Sequence, residues 1–248
     1  VAKEVSQTVV NALRLLECFG QEEELGITEL AADIGVGKAV AARLVSSLVE
    51  FGYLRQNPQT RKYRLGLKLV YWGSLAQERN EIVQLVEPYL WTLSQEFQVS
   101  AHMAVLDHFA ALITCKVTRG PIVYMNSRVG TSLPIHACAT GKCLLAYSSE
   151  QFLQEFLGTQ PLVRFTEQTI TDPDVFLEEA QRIRQQGYAL DNEESNLGLS
   201  CMAVPLLNAG GQITAAISLS GQTKFMKKNH VAILRRLREV QHELSSYL

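Results

Sequence analysis

The stretch Pro134–Tyr147, PIHACATGKCLLAY, gathers a histidine, two cysteines, a threonine and a lysine around one glycine. These are the residue types of phosphate cradles, metal sites and thiol nucleophiles. A phosphate loop needs a glycine five positions before its Gly-Lys pair and a hydroxyl just after it, so that amides wrap the phosphate and the hydroxyl reaches magnesium. Those positions hold His136 and Cys143, and the pattern fails at both ends. A zinc site needs three or four ligands. His136, Cys138 and Cys143 supply at most three, with Cys201 as a distant fourth, and no C-x-x-C or H-x3-H spacing accompanies them. A thiol nucleophile needs a base and an orienting group, and no acid motif stands nearby. The plain reading is that both cysteines are packed as small hydrophobes. What the stretch does supply is a helix start. ACATG leading into KCLLAY leaves unpaired amides near Ala139–Gly141, and such amides, with the helix dipole, favour an anion.

The elements that must position this helix start alternate. AHMAVLD, ALITCKV and IVYMNSR read as three strands in meander order, followed by a helical region at 141–157. DPDVFLEEAQRIRQQG has Pro173 at a helix start and Gly187 at its stop. YALD, LSCMAVPLL and ITAAISLS return to strands with NAGG as a turn, and the chain ends in a helix carrying Val231, Leu234, Leu237 and Val240. This is an α+β domain with a mostly antiparallel sheet. Leu199 and Cys201 are two apart, as are Ser218 and Ser220, so each pair shares one face of its strand. Hydroxyls on one face build a polar pocket or simply meet water; the pattern allows both.

Composition bounds the class. With 248 residues, 47% hydrophobic and 19% charged, the chain is of ordinary globular make-up, one large domain or two small ones. No apolar run reaches the roughly 18–20 residues of a spanning helix, so no membrane partner is expected. VAKEVSQTVVNALRLLE carries acids and polar residues through its apolar positions, unlike a secretion signal. Five scattered cysteines, an odd number, point to reduced thiols in a cytoplasm.

Charge is segregated. Residues 1–33 hold two bases and seven acids, whereas residues 34–68 hold seven bases and one acid. A protein that neutralises phosphates needs a basic surface locally, not a basic total. Three helical patterns fit the first fifty residues. One carries Val9, Leu13, Leu16 and Phe19, and a second, TELAADI, has Thr28 as its expected cap. The third runs from about Gly37 to Phe51 and is closed by Gly52. At about 100° per residue, its Val40, Ala41, Leu44, Val45 and Leu48 share one face, and Ala39, Ala42, Arg43 and Ser46 the other. A small outer face with one long cation suits a helix lying deep in a major groove, or a plain surface helix. YLRQNPQTRKYRLG then reads as two short strands around a turn at Asn57–Thr60. Helix–turn–helix followed by a basic hairpin is a winged helix–turn–helix, which favours duplex DNA. Lys38 would sit with the third helix at the groove, and Arg55, Arg61 and Lys62 of the wing would grip phosphate or enter the minor groove. LGLKLVYWGSLAQERN continues as a helix whose Leu67, Val70, Tyr71, Trp72 and Leu75 give more apolar surface than a linker needs.

ALRLLECFG, GITELAADIGVGKAVAARLVSSLVEFGYL and YRLGLKL in the first part, with LPIHACATGKCLLAY and GYALDNEESNLGLSCMAVPL…GQITAAISLSG in the second, resemble the IclR-type bacterial transcription regulators. The resemblance covers nearly the whole chain. It implies a winged helix–turn–helix at 1–66, a linker and dimerisation helix at 67–80, and a GAF-like effector-binding domain at 81–248. It further implies double-stranded operator DNA as partner, a homodimer or homotetramer, no cofactor, and a small organic acid as effector of a repressor. Carried over residue by residue, the effector pocket would take Ala139 and Thr140 from the loop and Ile122, Met125 and Leu133 as apolar wall. Asp191, Leu199, Cys201, Ser218 and Ser220 would complete it. Where relatives open the recognition helix with a serine-rich cap and carry a histidine midway, this chain has Gly37 and Ala42, so their operator cannot be borrowed. The competing readings are a cysteine-based redox or metal sensor, or an enzyme on the same GAF-like domain.

Overall fold

The computed structural model describes residues 5–20, 22–120 and 127–248. The chain divides into two compact units, Val1–Arg79 and Asn80–Leu248.

The first unit contains α1 (Gln7–Glu17), a short 3-10 turn (Cys18–Gly20), α2 (Ile27–Asp33), α3 (Lys38–Glu50), β1 (Leu54–Gln56), β2 (Tyr63–Leu65) and α4 (Lys68–Glu78). Leu15, Leu30, Val45 and Leu54 form its dry centre, with Phe19, Leu25, Ile34 and Leu44 around them. The buried side of α1 therefore runs through Leu15, with Ala12 and Leu16 packed beside it, while Val9 and Leu13, expected to face inward, are exposed. Thr28 is not the cap of α2. Gly26 holds that position, and the Glu29 carboxylate accepts from its N–H at 2.6 Å, the one half of a capping box that a glycine can form. Gly35, at φ +71°, turns the chain from α2 into α3, a backbone region glycine enters without penalty. Strands β1 and β2 pair antiparallel with Leu54 opposite Leu65, and Leu25 joins them by two backbone bonds to Tyr63. No residue of α4 is buried.

The second unit is one antiparallel sheet of order β5-β4-β3-β8-β7-β6. Its elements are α5 (Glu81–Phe97), β3 (Ser100–Asp107), β4 (Ala110–Thr118), β5 (Ser132–Leu133), α6 (Ala139–Tyr147), α7 (Glu150–Thr159), α8 (Pro173–Gln186), β6 (Ala189–Asn192), β7 (Leu199–Leu207), β8 (Ile213–Gln222), α9 (Thr223–Lys228) and α10 (His230–Leu244). Alternation along the strands assigns the faces. Met202, Val204, Leu206, Ala215, Ile217 and Leu219 pack with α5, α9 and α10. Leu199, Cys201, Ala203 and Ala216 pack with α6, α7 and α8. Pro88 stays inside α5. In α10 the buried residues are Ile233, Leu237, Val240 and Leu244, and Val231, read as part of that stripe, is exposed. The third meander strand expected at IVYMNSR lies outside the described residues except for Ser127 and Arg128, which are not in a strand; among the described residues β4 pairs with β3 and β5.

Candidate functional site

The outward face of α3 presents Lys38, Ala39, Arg43 and Ser46 to solvent, with Ala42 half-buried, while Ala41, Leu44 and Val45 are buried beneath. The wing adds cations. Arg55 and Arg64 stand directly opposite each other across β1 and β2, both exposed. Like charges at paired positions repel, and an anion laid across them removes the penalty. Arg61 lies at the turn with a left-handed φ of +61°. Lys62 behaves differently: its ammonium is 3.1 Å from Glu29, so part of its charge is neutralised within the unit. The wing tip is fastened from behind. Glu24 accepts from Asn57 Nδ2 at 2.7 Å and Thr60 Oγ1 at 2.8 Å, and Asn57 Oδ1 accepts from the Gln59 amide at 2.9 Å. The Asn57 and Thr60 bonds hold the Glu24 carboxyl below its usual range.

In the second unit, Leu133, Ala139, Thr140, Asp191, Cys201, Ser218 and Ser220 line one cavity of about 250 Å3. Leu199 does not reach it; it is buried in the core beneath α6. Ile122 and Met125 fall outside the described residues. The wall also contains His102, Pro134, Cys138, Phe165, Ser195 and Asn196, which sequence reading missed. For His102 the missing signal was strand pairing: it lies opposite Ser218, as Ser100 lies opposite Ser220.

Cys138 caps α6, its Sγ accepting from the Gly141 amide at 3.3 Å and its carbonyl from the Lys142 amide at 2.9 Å. The Ala139 and Thr140 amides are the first-turn donors left without an acceptor among the described residues. Gly141 is required by close approach, since a Cβ there would lie 2.2 Å from the Ile135 carbonyl oxygen. We expect Gly141→Ala to cost about 1–3 kcal/mol through forced backbone displacement, read as a lowered urea midpoint. An unchanged midpoint would show that the loop yields freely.

Behind the helix start, Lys142 is fully buried and pairs with Glu194 at 2.6 Å and Glu179 at 3.0 Å. Glu179 also binds Arg182. Glu194 belongs to the β6–β7 loop that carries Ser195 and Asn196 to the cavity. Asp191, itself buried, anchors the same loop by accepting from the Glu194 amide at 2.7 Å and from Ser195 Oγ at 2.6 Å. Burial raises the Asp191 and Glu194 carboxyls above their usual range. The cavity wall contains no lysine or arginine among the described residues.

Burial pushes the Cys138 and Cys115 thiols up to about 11 and raises those of Cys143 and Cys201 well above the usual thiol range. A thiol so held is not the thiolate that nucleophilic attack or metal ligation requires. Among the described residues, no three His, Cys, Asp or Glu side chains are placed to hold a metal ion.

His102 is buried beside the cavity, with Nε2 3.4 Å from Ser127 Oγ and Nδ1 unpartnered among the described residues. Burial, and secondarily the Lys116 ammonium, lower its pKa from 6.5 to about 3. Below the ordinary value the unfolded chain takes up a proton that the folded chain refuses. Stability contributed by the neutral imidazole is therefore present above pH 6.5 and lost towards pH 3, by about 1.4 kcal/mol per pH unit. His136, also lowered by burial, adds in the same direction. Unfolding titrations across this range should show the loss, and His102→Leu should flatten it; an equally steep His102→Leu profile would assign the loss elsewhere.

A winged helix–turn–helix in one unit and a sheet-and-helix cavity in the other fit a DNA-binding regulator. Residues 75–246 match the bacterial transcriptional regulator IclR C-terminal family, and residues 8–58 match the IclR helix-turn-helix domain. The chain belongs to the IclR family of bacterial transcriptional regulators. It is 34% identical over 232 residues to the HTH-type transcriptional regulator XynR of Escherichia coli, covering 93% of this chain and 92% of that one. The solved Thermotoga maritima IclR superposes with a TM-score of 0.75 at 26% identity, covering 96% of this chain and 98% of that one. The inducer-binding domain of a double mutant of PobR from Acinetobacter, solved with 3-hydroxy benzoic acid, matches at 30% identity and a TM-score of 0.62, over 66% of this chain and 98% of that one. These relatives are transcription regulators, and this chain is a regulator, not an enzyme. No helix among the described residues is long and apolar enough to cross a membrane.

Proposed function

We propose that the chain is a repressor whose second unit binds a small organic acid and thereby alters its hold on double-stranded operator DNA. The observation that carries this reading is the open first turn of α6 above the hydroxyls of Ser218 and Ser220. Leu133, Pro134 and Phe165 offer an apolar wall for the body of the ligand, and Thr140, the strand serines and the α6 amides offer donors for its carboxylate. The PobR domain carrying 3-hydroxy benzoic acid supports the same ligand class. On the DNA side, Lys38, Ala39, Ala42, Arg43 and Ser46 read the major groove, and Arg55, Arg61 and Lys62 hold the flanking backbone. One winged unit covers a half-site, so the chain acts as a homodimer or as a homotetramer made of two such dimers, and the exposed Val70, Tyr71 and Trp72 of α4 supply apolar surface for pairing.

The test is a thermal-unfolding screen with hydroxybenzoates, sugar acids and keto acids. A ligand at a hundred times its Kd stabilises the fold by about 2.7 kcal/mol. At least one acid should raise the midpoint, and Ser218→Val should reduce the rise. If no acid does so, the effector reading is lost.

A further inference from the structure

On the opposite face of the β6–β7 ribbon lies a second cavity, of about 190 Å3, lined by Leu190, Asn192, Ser200, Met202, Met226, Lys227 and His230 together with Cys201. The strand register explains the arrangement. Asp191 and Cys201 are paired and belong to the first cavity, whereas the neighbouring pairs Leu190–Met202 and Asn192–Ser200 belong to the second. The two cavities thus stand back to back, with Cys201 common to both walls.

His230 marks the second cavity as more than a packing gap. Both ring nitrogens are buried, and neither has a hydrogen-bond partner among the described residues. Its ring lies 5.8 Å from the Tyr188 ring at an angle of 56°. That contact covers part of the imidazole but offers no acceptor or donor to nitrogens whose bonds lie in the ring plane. Leaving such a group unpaired is costly. The remaining chemistry is consistent in sign. Among the described residues Lys227 forms no ion pair, Asn192 carries amide donors, the Ser200 hydroxyl is donated to Thr223 Oγ1 at 3.0 Å, and no acid lines the space. Leu190, Met202 and Met226 make the rest apolar and adaptable.

We propose that this cavity is a second small-molecule site, taking a monocarboxylate with a short apolar body. The carboxylate accepts from the His230 imidazole and the Lys227 ammonium, and the body packs on the two thioethers. One cation suits a single negative charge better than a phosphate dianion. The inference does not depend on what occupies the first cavity.

The chain supplies its own reporters. Of its four methionines, Met202 and Met226 line this cavity, and Met103 is a buried core control. The full chain labelled with 13C at the methionine methyls would be titrated with benzoate as probe. The Met202 and Met226 methyls should shift saturably while Met103 stays in place. The shifts should persist in Ser218→Val, which alters only the first cavity, and vanish in His230→Phe, which fills the second. Lys227→Gln, an exposed change that leaves folding intact, should weaken the titration about tenfold, the worth of a charge-assisted bond. Absent shifts, shifts retained in both His230→Phe and Lys227→Gln, or shifts lost in Ser218→Val would each overturn the proposal. The last result would mean that the methyls only sense the first cavity. Shifts that survive Ser218→Val when no acid stabilises through the first cavity would uphold this site and reject the effector reading separately.

Discussion

Lys142→Met should lower the stability of the Asn80–Leu248 unit by about 3–5 kcal/mol, the usual cost of removing one partner from a buried ion group. Lys142 is 1% exposed, and its ammonium holds two carboxylates, Glu179 and Glu194, each nearly as buried. Methionine matches its length but leaves Glu194 charged in a dry setting, where its second oxygen already lacks a partner. Glu179 keeps Arg182 and suffers less. Against a total stability of about 5–15 kcal/mol for a domain, the variant would sit near the folding threshold. Urea unfolding measures the loss. Lys142→Met combined with Glu179→Gln and Glu194→Gln should recover much of it, because the stranded charges are gone. A loss below about 1 kcal/mol for the single variant would mean that the ammonium does not hold the site together. The effect should extend to ligand binding, since Glu194 positions the loop that brings Ser195 and Asn196 to the cavity.

Arg43→Ala should weaken duplex binding by about ten- to a hundredfold while leaving the fold intact. A single well-placed arginine contact is worth about 1–3 kcal/mol, and Arg43 is exposed on a face otherwise made of Ala39, Ala42 and Ser46. Fluorescence anisotropy with the chain's own upstream DNA and with random duplex separates two contact types. A base-edge contact would lose discrimination between the duplexes; a phosphate contact would weaken both and reduce the salt slope by about one. Equal affinity in Arg43→Ala and the parent would remove α3 from the interface. Arg55→Gln and Arg64→Gln should each act on both duplexes alike.

The two faces of α3 were legible because helical periodicity separates Leu44 and Val45 from Arg43 and Ser46 without tertiary information. Strand alternation likewise put Ser218 and Ser220 on one face, but left open whether that face met water or a cavity; the structure has both lining the cavity. Three misreadings share a cause: they concern choices that local patterns leave degenerate. Thr28 has the chemistry of a cap, but Gly26 with Glu29 closes the helix start two residues earlier. Val231 has the spacing of the α10 stripe, yet Ile233 sets the buried face. Leu199 shares parity with Cys201 but sits where the sheet is covered by core. What was illegible depended on long-range pairing. His102 enters the cavity through its pairing with Ser218, 116 positions on. Phe165, Ser195 and Asn196 lie on loops, which have no period to read. The partners of Lys142 are 37 and 52 positions away, so the stretch that first suggested a phosphate lysine concealed a buried structural one.

The lack of any lysine or arginine among the described residues of the first cavity's wall has a consequence for selectivity. An acid entering it exchanges its water shell for hydroxyls and helix amides, without a counter-charge to offset the stripping. Dehydration therefore becomes the filter. On the proposed effector reading, weakly hydrated, single-charged acids with a broad greasy body would be admitted, and compact multivalent ones such as oxalate or citrate would be left in solution. Binding of this kind should be nearly indifferent to ionic strength, whereas the DNA contact of the same polypeptide depends on it steeply. Salt is then a means of turning one activity down while leaving the other untouched.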